Sequence, residues 1–153
     1  MSEISESRDF ENIYGRNVDT VYRLCYTYLG NLALSREKTK ETFLRFAASE
    51  KRFDDEKAET AWLLVTAARL CSRPGNQEFN VPLPDPEEIP GNDILNALTE
   101  LPDKDKLAAY LYYYEGYSTM EIAQYLRSSA SKIRGQLAQI RGHMKQELGS
   151  DTL

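Results

Sequence analysis

Hydrophobic side chains recur every three or four residues along most of the chain, which is the spacing of one buried face of an α-helix. In the first half this pattern predicts helices over residues 8–29, 35–49 and 58–72, with Ser35 as the cap of the second. No stretch alternates between apolar and polar residues in the manner of a half-buried β-strand. The sequence therefore predicts an all-α protein.

The second half carries the helical pattern in shorter pieces. Asp93 is predicted to cap one short helix, and the next helix starts near Leu101 and ends in the tyrosine-rich run 110–114. Ser118 and Glu121 have the spacing of a capping box, in which each side chain bonds the backbone amide of the other residue. They predict the start of a third short helix.

A proline-rich segment divides the two helical halves. Residues 74–92 hold five of the six prolines and no Lys or Arg, so we expect an extended linker there. The predicted architecture is two small helical domains, residues 1–73 and 93–153, and the second is a four-helix unit that contains a helix-turn-helix.

The last two predicted helices are joined by a tight turn at Arg127 and Ser128, and Ser129 is the expected cap of the final helix. The apolar positions of that helix recur at steps of four, three and four residues: Ile133, Leu137, Ile140 and Met144. This is the pattern of a helix-turn-helix, whose second helix enters the major groove of DNA. A plain helical hairpin within a bundle is the alternative interpretation.

Charge favours the DNA-binding interpretation. The chain of 153 residues has a formal net charge of −5, yet between Ile122 and Gln146 it carries five Lys or Arg and no Asp or Glu. Residues 1–73 are balanced, and residues 74–100 carry acidic side chains alone. A segment of one positive sign in an acidic protein is typical of a phosphate-binding surface.

Other classes of function have little support in the residues. Cys25 and Cys71 fall in apolar helical patterns and are expected to be buried, reduced thiols, and His143 has no partner at metal-ligand spacing, so neither a metal nor another cofactor is expected. No nucleophile–base constellation or phosphate loop suggests an enzyme. The sequence has neither an apolar run of the ~20 residues that a membrane span requires nor a signal peptide, so a cytoplasmic protein without a membrane segment is expected.

Four segments, in this order, resemble those of the extracytoplasmic-function (ECF) sigma factors, the compact two-domain branch of the bacterial sigma-70 family. They are VYRLCYTYLGN at 21–31, ETFLRFA at 41–47, AWLL at 61–64, and the stretch at 97–126 that runs from ALTELPDKDK through YYYEGYSTMEIAQYL. The resemblance covers nearly the whole chain except its two tails. It implies a protein that binds core RNA polymerase and directs promoter-specific transcription initiation.

The resemblance also implies contacts for the N-terminal domain. Its second helix would dock on the β′ clamp helices of core polymerase, with the candidate contacts Glu37, Glu41, Leu44 and Arg45. The same domain would recognise and open the −10 element and trap an extruded base near residues 53–59. The candidate contacts with that element are Arg52, Phe53, Trp62, Arg69 and Arg73.

For the C-terminal domain, the resemblance implies that the last helix enters the major groove of the −35 element while the domain packs on the β flap. The candidate DNA contacts are Arg127, Ser129, Ser131, Lys132, Arg134, Gln136, Gln139 and Arg141. Lys132, Arg134 and Arg141 are expected to hold phosphates, with Gln136 and Gln139 as the better candidates for reading bases. An anti-sigma factor is a further partner that the resemblance allows.

The chain departs from the family pattern at positions that bear on these roles. Its docking helix carries Arg36, Lys38 and Lys40 where the family is usually acidic, and Arg127 stands at the turn glycine of the helix-turn-helix. These departures motivate two alternatives. One is a degenerate sigma-like adaptor or decoy that acts through protein contacts, and the other is a stand-alone helix-turn-helix regulator.

Overall fold

The computed structural model describes the backbone of residues 2–72 and 92–148, and their side chains from residue 9 onward. All regular structure in these ranges is helical, which confirms the all-α prediction. Except for Asn92, the predicted linker lies outside the described residues, and so does Arg73.

Three helices form the N-terminal half: α1 (Ser2–Leu29), α2 (Leu32–Ser49) and α3 (Glu56–Cys71). Each packs against the other two. All three helices begin earlier than the sequence pattern predicted. At α3 the reason is Asp55, whose side chain accepts a hydrogen bond from the Ala58 amide at 2.7 Å and so caps the helix.

The prediction that Ser35 caps α2 is wrong. The cap is Asn31, whose side-chain oxygen accepts from the Leu34 amide at 2.9 Å. Ser35 lies in the first turn of the helix, fully buried, and its hydroxyl donates to the Asn31 carbonyl at 2.6 Å. Asparagine and serine are both good caps, and because Asn31 comes earlier in the chain, the helix begins after it and includes Ser35.

Four α-helices form the C-terminal half of the described chain, as predicted: α4 (Asp93–Leu98), α5 (Asp103–Ala109), α6 (Thr119–Tyr125) and α7 (Ala130–Leu148). Asn92, and not Asp93, caps α4, since its side chain accepts from the Leu95 amide at 3.1 Å. The capping box of α6 is confirmed. The Glu121 amide donates to the Ser118 hydroxyl at 3.1 Å, and the Ser118 amide donates to the Glu121 carboxylate at 2.9 Å.

A π-helical turn (Tyr110–Tyr114) follows α5 directly. The wider turn is closed by the Glu115 amide, which donates to the Tyr110 carbonyl at 3.1 Å. Tyr110 and Tyr114 share one face, and their rings stack with centroids 5.0 Å apart. Tyr110 is fully buried, whereas Tyr112 is exposed.

Buried apolar side chains of the two halves form one connected core. Leu24 of α1, Leu64 of α3 and Ile140 of α7 all belong to it and have no exposed surface. Cys25 and Cys71 are buried and free of a disulfide, as expected. The described halves are therefore packed against each other and not held apart, which brings their candidate sites together.

Candidate nucleic-acid interface

Helix α7 is held by one side and presents the other to solvent. Its cap is Ser129, whose hydroxyl accepts from the Lys132 amide at 3.1 Å, as the sequence predicted. The apolar stripe faces the core and is buried: Ile133, Leu137, Ile140 and Met144. With α6 and its intervening turn, α7 completes the predicted helix-turn-helix, and we call α7 the recognition helix from here on.

The exposed side of the recognition helix carries positive charge and has small residues between its charged side chains. Five candidate DNA contacts of this helix are exposed, namely Ser131, Lys132, Arg134, Gln139 and Arg141. Between them lie Gly135 and Ala138, which are also exposed, and a Cβ atom added at Gly135 would meet nothing within 4 Å. Such a surface allows the helix backbone close to DNA while flanking cations bind phosphates.

Gln136 differs from the other candidates. It is half-buried, and its amide nitrogen donates to the Asp105 carboxylate at 2.9 Å and to the Lys104 carbonyl at 3.2 Å. The two glutamines that the sequence placed together as base readers are therefore separated. Gln139 faces solvent, and Gln136 is bound to the start of α5.

The turn between α6 and α7 contains Arg127, a charged residue whose backbone is strained. Arg127 has a φ of +54°, in the left-handed region that favours glycine. The turn is closed by the Ser128 amide, which donates to the Ala123 carbonyl at 2.8 Å. A left-handed residue with a side chain costs about 1–2 kcal/mol, and strained positions are concentrated at functional sites. The exposed Arg127 keeps a positive charge beside the recognition helix.

Two of the −10 candidates belong to an aromatic cluster between α2 and α3. Phe53 lies 6.3 Å from Phe46 and 6.2 Å from Trp62, measured between ring centroids, and the Phe46 and Trp62 rings meet edge to face at 5.8 Å. Phe53 and Trp62 are each half-buried. Trp62 thus supports the packing of Phe53 while keeping part of its own ring in solvent.

An open cleft of about 880 Å³ lies beside this cluster, lined by residues that include Arg52 and Phe53. On its floor, the Glu59 carboxylate is nearly buried and accepts from Arg16 and Asn17, each at 3.0 Å. The volume falls within the range of small-ligand sites. Aromatic faces with cations nearby can stack an unpaired base and hold its phosphate.

Arg69 lies apart from that cleft. It is exposed and lines a second cleft, of about 450 Å³, between α3 and the C-terminal half, together with Arg127, Lys132 and Gln136. The structure therefore divides the −10 candidates. Arg52, Phe53 and Trp62 lie together, Arg69 adjoins the −35 candidates, and Arg73 lies outside the described residues.

Helix α2 exposes a mixed surface for its predicted docking role. Leu44 is 59% exposed, which is high for an apolar side chain, and Glu37 and Arg45 are exposed as well. Glu41 pairs with Lys38 at 3.3 Å and with Arg45 at 3.7 Å. The charge of Lys38, one of the departures from the family pattern, is thus offset by Glu41.

Contacts between the halves were missing from the sequence-based predictions. The Lys57 ammonium lies 2.6 Å from the Glu121 carboxylate and 5.0 Å from the centre of the Tyr117 ring, and the Tyr117 hydroxyl donates to the Lys57 carbonyl at 3.0 Å. The hydrogen bond from Lys57 lowers the pKa of the Glu121 carboxyl, and burial raises the pKa of Tyr117. The sequence identified Glu121 only as a cap.

Hydroxyls make a second contact between the halves. The Tyr110 hydroxyl donates to the Thr20 carbonyl at 3.0 Å, and the Thr20 hydroxyl donates to the Glu115 carboxylate. These bonds join α1 to the π-helical turn, so that the turn is part of the boundary between the halves.

Comparison with known families defines the class of protein. Residues 13–73 match the model of sigma-70 region 2, and residues 91–144 match that of sigma-70, region 4. The two matches together cover about three quarters of the chain. The chain therefore belongs to the sigma-70 family, the sigma factors that direct transcription initiation from promoters.

Individual relatives place it near the ECF sigma factors. The chain is 26% identical over 148 residues to the ECF RNA polymerase sigma factor SigK of Mycobacterium tuberculosis and to that of Mycobacterium bovis, over 84% of this chain and 79% of the relative. Its fold is similar to that of the sigma factor RpoE from Bartonella quintana, solved with the anti-sigma factor NepR. The TM-score is 0.67 at 15% identity, over 94% of this chain and 99% of that one. These likenesses confirm the ECF resemblance and the two-domain helical fold.

Two further properties bear on the class of protein. None of the helices in the described ranges is long and apolar enough to cross a membrane. Among the same residues, no group of three or more His, Cys, Asp or Glu is arranged to hold a metal ion.

Proposed function

We propose that this sigma factor recognises its promoter through two separate surfaces, one in each half. Residues 1–73 contact core polymerase and the −10 element, and residues 93–153 contact the −35 element, with residues 74–92 as the linker. The observation that carries this proposal is the cationic, exposed side of the recognition helix, presented by a fully capped helix-turn-helix.

At the −35 element, the recognition helix grips phosphates more than it reads bases. Lys132, Arg134 and Arg141 supply the positive charge, Arg127 adds to it from the turn, and Gln139 is the exposed amide that can pair with a base edge. Ser131 and Ser129 add hydroxyls near the start of the helix, the end that approaches base edges in this motif. Small residues between these side chains let the helix lie deep in the groove.

At the −10 element, the cleft beside Phe53 holds an extruded base. Stacking on the exposed part of Phe53, which Trp62 supports from behind, offsets the stacking that the base loses in the duplex, and Arg52 holds the neighbouring phosphate. Arg69 adds positive charge to α3, and Arg73, which lies outside the described residues, is a further candidate from the sequence alone.

Core polymerase docks on the exposed side of α2. Leu44 supplies the apolar contact, and Glu37, Glu41 and Arg45 surround it with charge that suits the β′ clamp helices. The C-terminal half packs on the β flap. An anti-sigma factor that covers these surfaces would hold the protein inactive. The site of action is the cytoplasm, where polymerase and promoter lie, and we assign no catalytic step to the chain itself.

The two halves must separate when both promoter elements are bound. Elements centred about 25 base pairs apart lie ~85 Å apart along B-DNA, at 3.4 Å per base pair. A compact chain of this length has a diameter of only ~40 Å. The packed arrangement is therefore a closed form, and the linker provides the reach of the open one.

A pull-down of bacterial core RNA polymerase with the full chain, followed by run-off transcription from selected promoters, tests the proposed function. We expect both binding and initiation. The exposed cations Arg36 and Lys40 on the docking helix favour a second candidate, the adaptor or decoy. Binding without initiation would support that candidate, and DNA binding without any affinity for polymerase would support the stand-alone regulator.

Salt dependence of promoter binding tests the roles within the recognition helix. Lys132→Ala and Arg141→Ala should each weaken binding to all sequences and reduce the slope of log affinity against log salt by ~1. Gln139→Ala should leave that slope unchanged and relax the preference for one base pair. A change of base preference in Lys132→Ala, with an unchanged slope, would contradict this division of roles.

A further inference from the structure

Gln136 lies on the recognition helix but faces the protein. Its amide nitrogen donates to the Asp105 carboxylate at 2.9 Å and to the Lys104 carbonyl at 3.2 Å, both in the first turn of α5. The two donor hydrogens of this amide are thereby both used within the protein. A glutamine that reads a base needs such a donor free, because the pairing with adenine uses one donor and one acceptor.

Asp105 has its own need for this bond. Its side chain is buried, with 6% of the residue exposed, and its carboxylate accepts a hydrogen bond from Gln136. Within the described chain, no buried side-chain oxygen or nitrogen lacks a partner. A buried carboxylate that loses its donor is strongly destabilised. The hydrogen-bonded state of Gln136 and Asp105 is therefore favoured over one in which Gln136 is free to bind a base.

The hydrogen bond from Gln136 to Asp105 also restricts the rotation of the recognition helix, which apolar packing alone does not. Ile133, Leu137 and Ile140 bury one side of the recognition helix, but burial of apolar surface has no direction, and small rotations about the helix axis retain most of it. A hydrogen bond is directional and short in range. Because Gln136 lies at the edge of this stripe, its bond to α5 opposes rotation of the helix about its own axis.

We propose that Gln136 is a positioning residue of the −35 interface and not a base reader. Through Asp105 it holds the recognition helix in the rotation that presents Lys132, Arg134 and Gln139 to the groove. This inference rests on the proposed −35 role of the helix, and it replaces the sequence-based expectation for Gln136.

The first measurement is thermal unfolding of the full chain and needs no DNA. Gln136→Ala should lower Tm by roughly 3 °C through loss of the donor. Gln136→Glu should lower it further, because it places a second carboxylate against Asp105. Adding Asp105→Asn to Gln136→Glu restores an amide–carboxylate pair with donor and acceptor exchanged, and Tm should recover most of the loss.

The second measurement is selection from promoter fragments with a randomised −35 element, using the full chain bound to bacterial core RNA polymerase well below Tm. Gln136→Ala and Gln136→Glu should each bind the preferred sequence roughly tenfold more weakly, without a changed preference at any single position. The exchanged pair, whose net charge equals that of the original protein, should recover within about threefold. Gln139→Ala is the matched control and should change the preference at one position.

The outcomes separate the proposals. A preference altered at one base pair by Gln136→Ala would show that Gln136 reads a base and would overturn the inference while supporting the −35 role. A fall in Tm with unchanged promoter affinity would show a merely structural bond and would also overturn it. If the original protein selects no sequence while retaining polymerase binding, the −35 role itself fails, and the positioning role fails with it.

Discussion

Two residues beside the recognition helix, Arg127 and Glu121, each combine a role in the local backbone with a charge or a more distant partner. Arg127 holds a left-handed backbone where glycine would be unstrained, and its exposed guanidinium adds charge next to the recognition helix. Glu121 has two partners, the backbone of Ser118 through the capping box and Lys57 of the other half. The role of such a residue follows from its contacts close in sequence together with those to distant parts of the chain.

Arg127→Gly should raise the free energy of unfolding by about 1 kcal/mol, because it relieves the left-handed strain, and should weaken promoter binding through the lost charge. Thermal unfolding and the salt dependence of binding measure the two effects. Arg127→Ala is the matched control. It removes the same charge but retains the Cβ atom, so promoter binding should fall equally with no gain in stability. Equal stability of Arg127→Gly and Arg127→Ala would show that the left-handed backbone at this position is not strained.

The helices of this protein are stabilised by caps at their ends and by one buried apolar face. The recognition helix is capped by Ser129 and anchored by its apolar stripe, while two glycines, Gly135 and Gly142, weaken its exposed side. Each costs the helix roughly 1 kcal/mol relative to alanine. Since an added Cβ atom has open space at both positions, packing within the described chain does not require either glycine.

Gly135→Ala should therefore raise the unfolding free energy by about 1 kcal/mol and weaken promoter binding, because the added methyl group keeps the helix from the floor of the groove. Gly142→Ala, on the same side but ~10 Å further along the helix, should bring the same stability with unchanged binding. Denaturant unfolding and promoter affinity are the measurements. Equal affinities for the two variants would remove the case for close approach at Gly135.

In the described residues the two halves share a core and several polar contacts, and we propose that this arrangement opens when the promoter is bound. Lys57 is central to them, since it bonds Glu121, lies over the Tyr117 ring, and accepts from Tyr117 through its carbonyl. An ion pair that is partly exposed is screened by solvent and contributes little to stability. The contact is therefore weak enough for binding of polymerase or promoter to break.

Lys57→Met should shift the chain toward the open form and raise its apparent affinity for core polymerase by roughly two- to fivefold, because less of the binding free energy is used for opening. Small-angle scattering and polymerase titration follow the two effects. Lys51→Met, which removes an exposed lysine of the neighbouring connector, is the control and should change neither. A loss of affinity in Lys57→Met alone would show instead that Lys57 itself contacts polymerase or DNA.

Acid should open the molecule by the same route. The pKa of the Glu121 carboxyl is lowered by its bond from Lys57, so the contact stabilises the closed form at neutral pH and is lost as the pH falls below the ordinary range of a glutamate. Glu121→Gln keeps a capping-box side chain but removes this charge. The variant should show less acid-induced expansion in scattering than the original protein. Identical pH profiles would exclude Glu121 as the titrating group.

Much of the fold follows from interactions close in sequence. The apolar stripe of the recognition helix, the cap at Ser129 and the capping box at Ser118 were all predicted, because helical periodicity and capping act within a few residues. The starts of α2 and α4 were misplaced. At each, an asparagine one or more residues earlier offered an equally good cap, and only the folded backbone shows which one is used.

The sequence by itself determined the helical class, the two sets of helices, the family resemblance and the charged side of the recognition helix, since each is expressed by residue type and local spacing. The tertiary structure alone decided which distant residues meet. It paired Gln136 with Asp105, brought Arg69 to the cleft lined by Arg127, and joined Lys57 to Glu121. No local period encodes such pairs, because they arise from how helices far apart in the chain pack on one core.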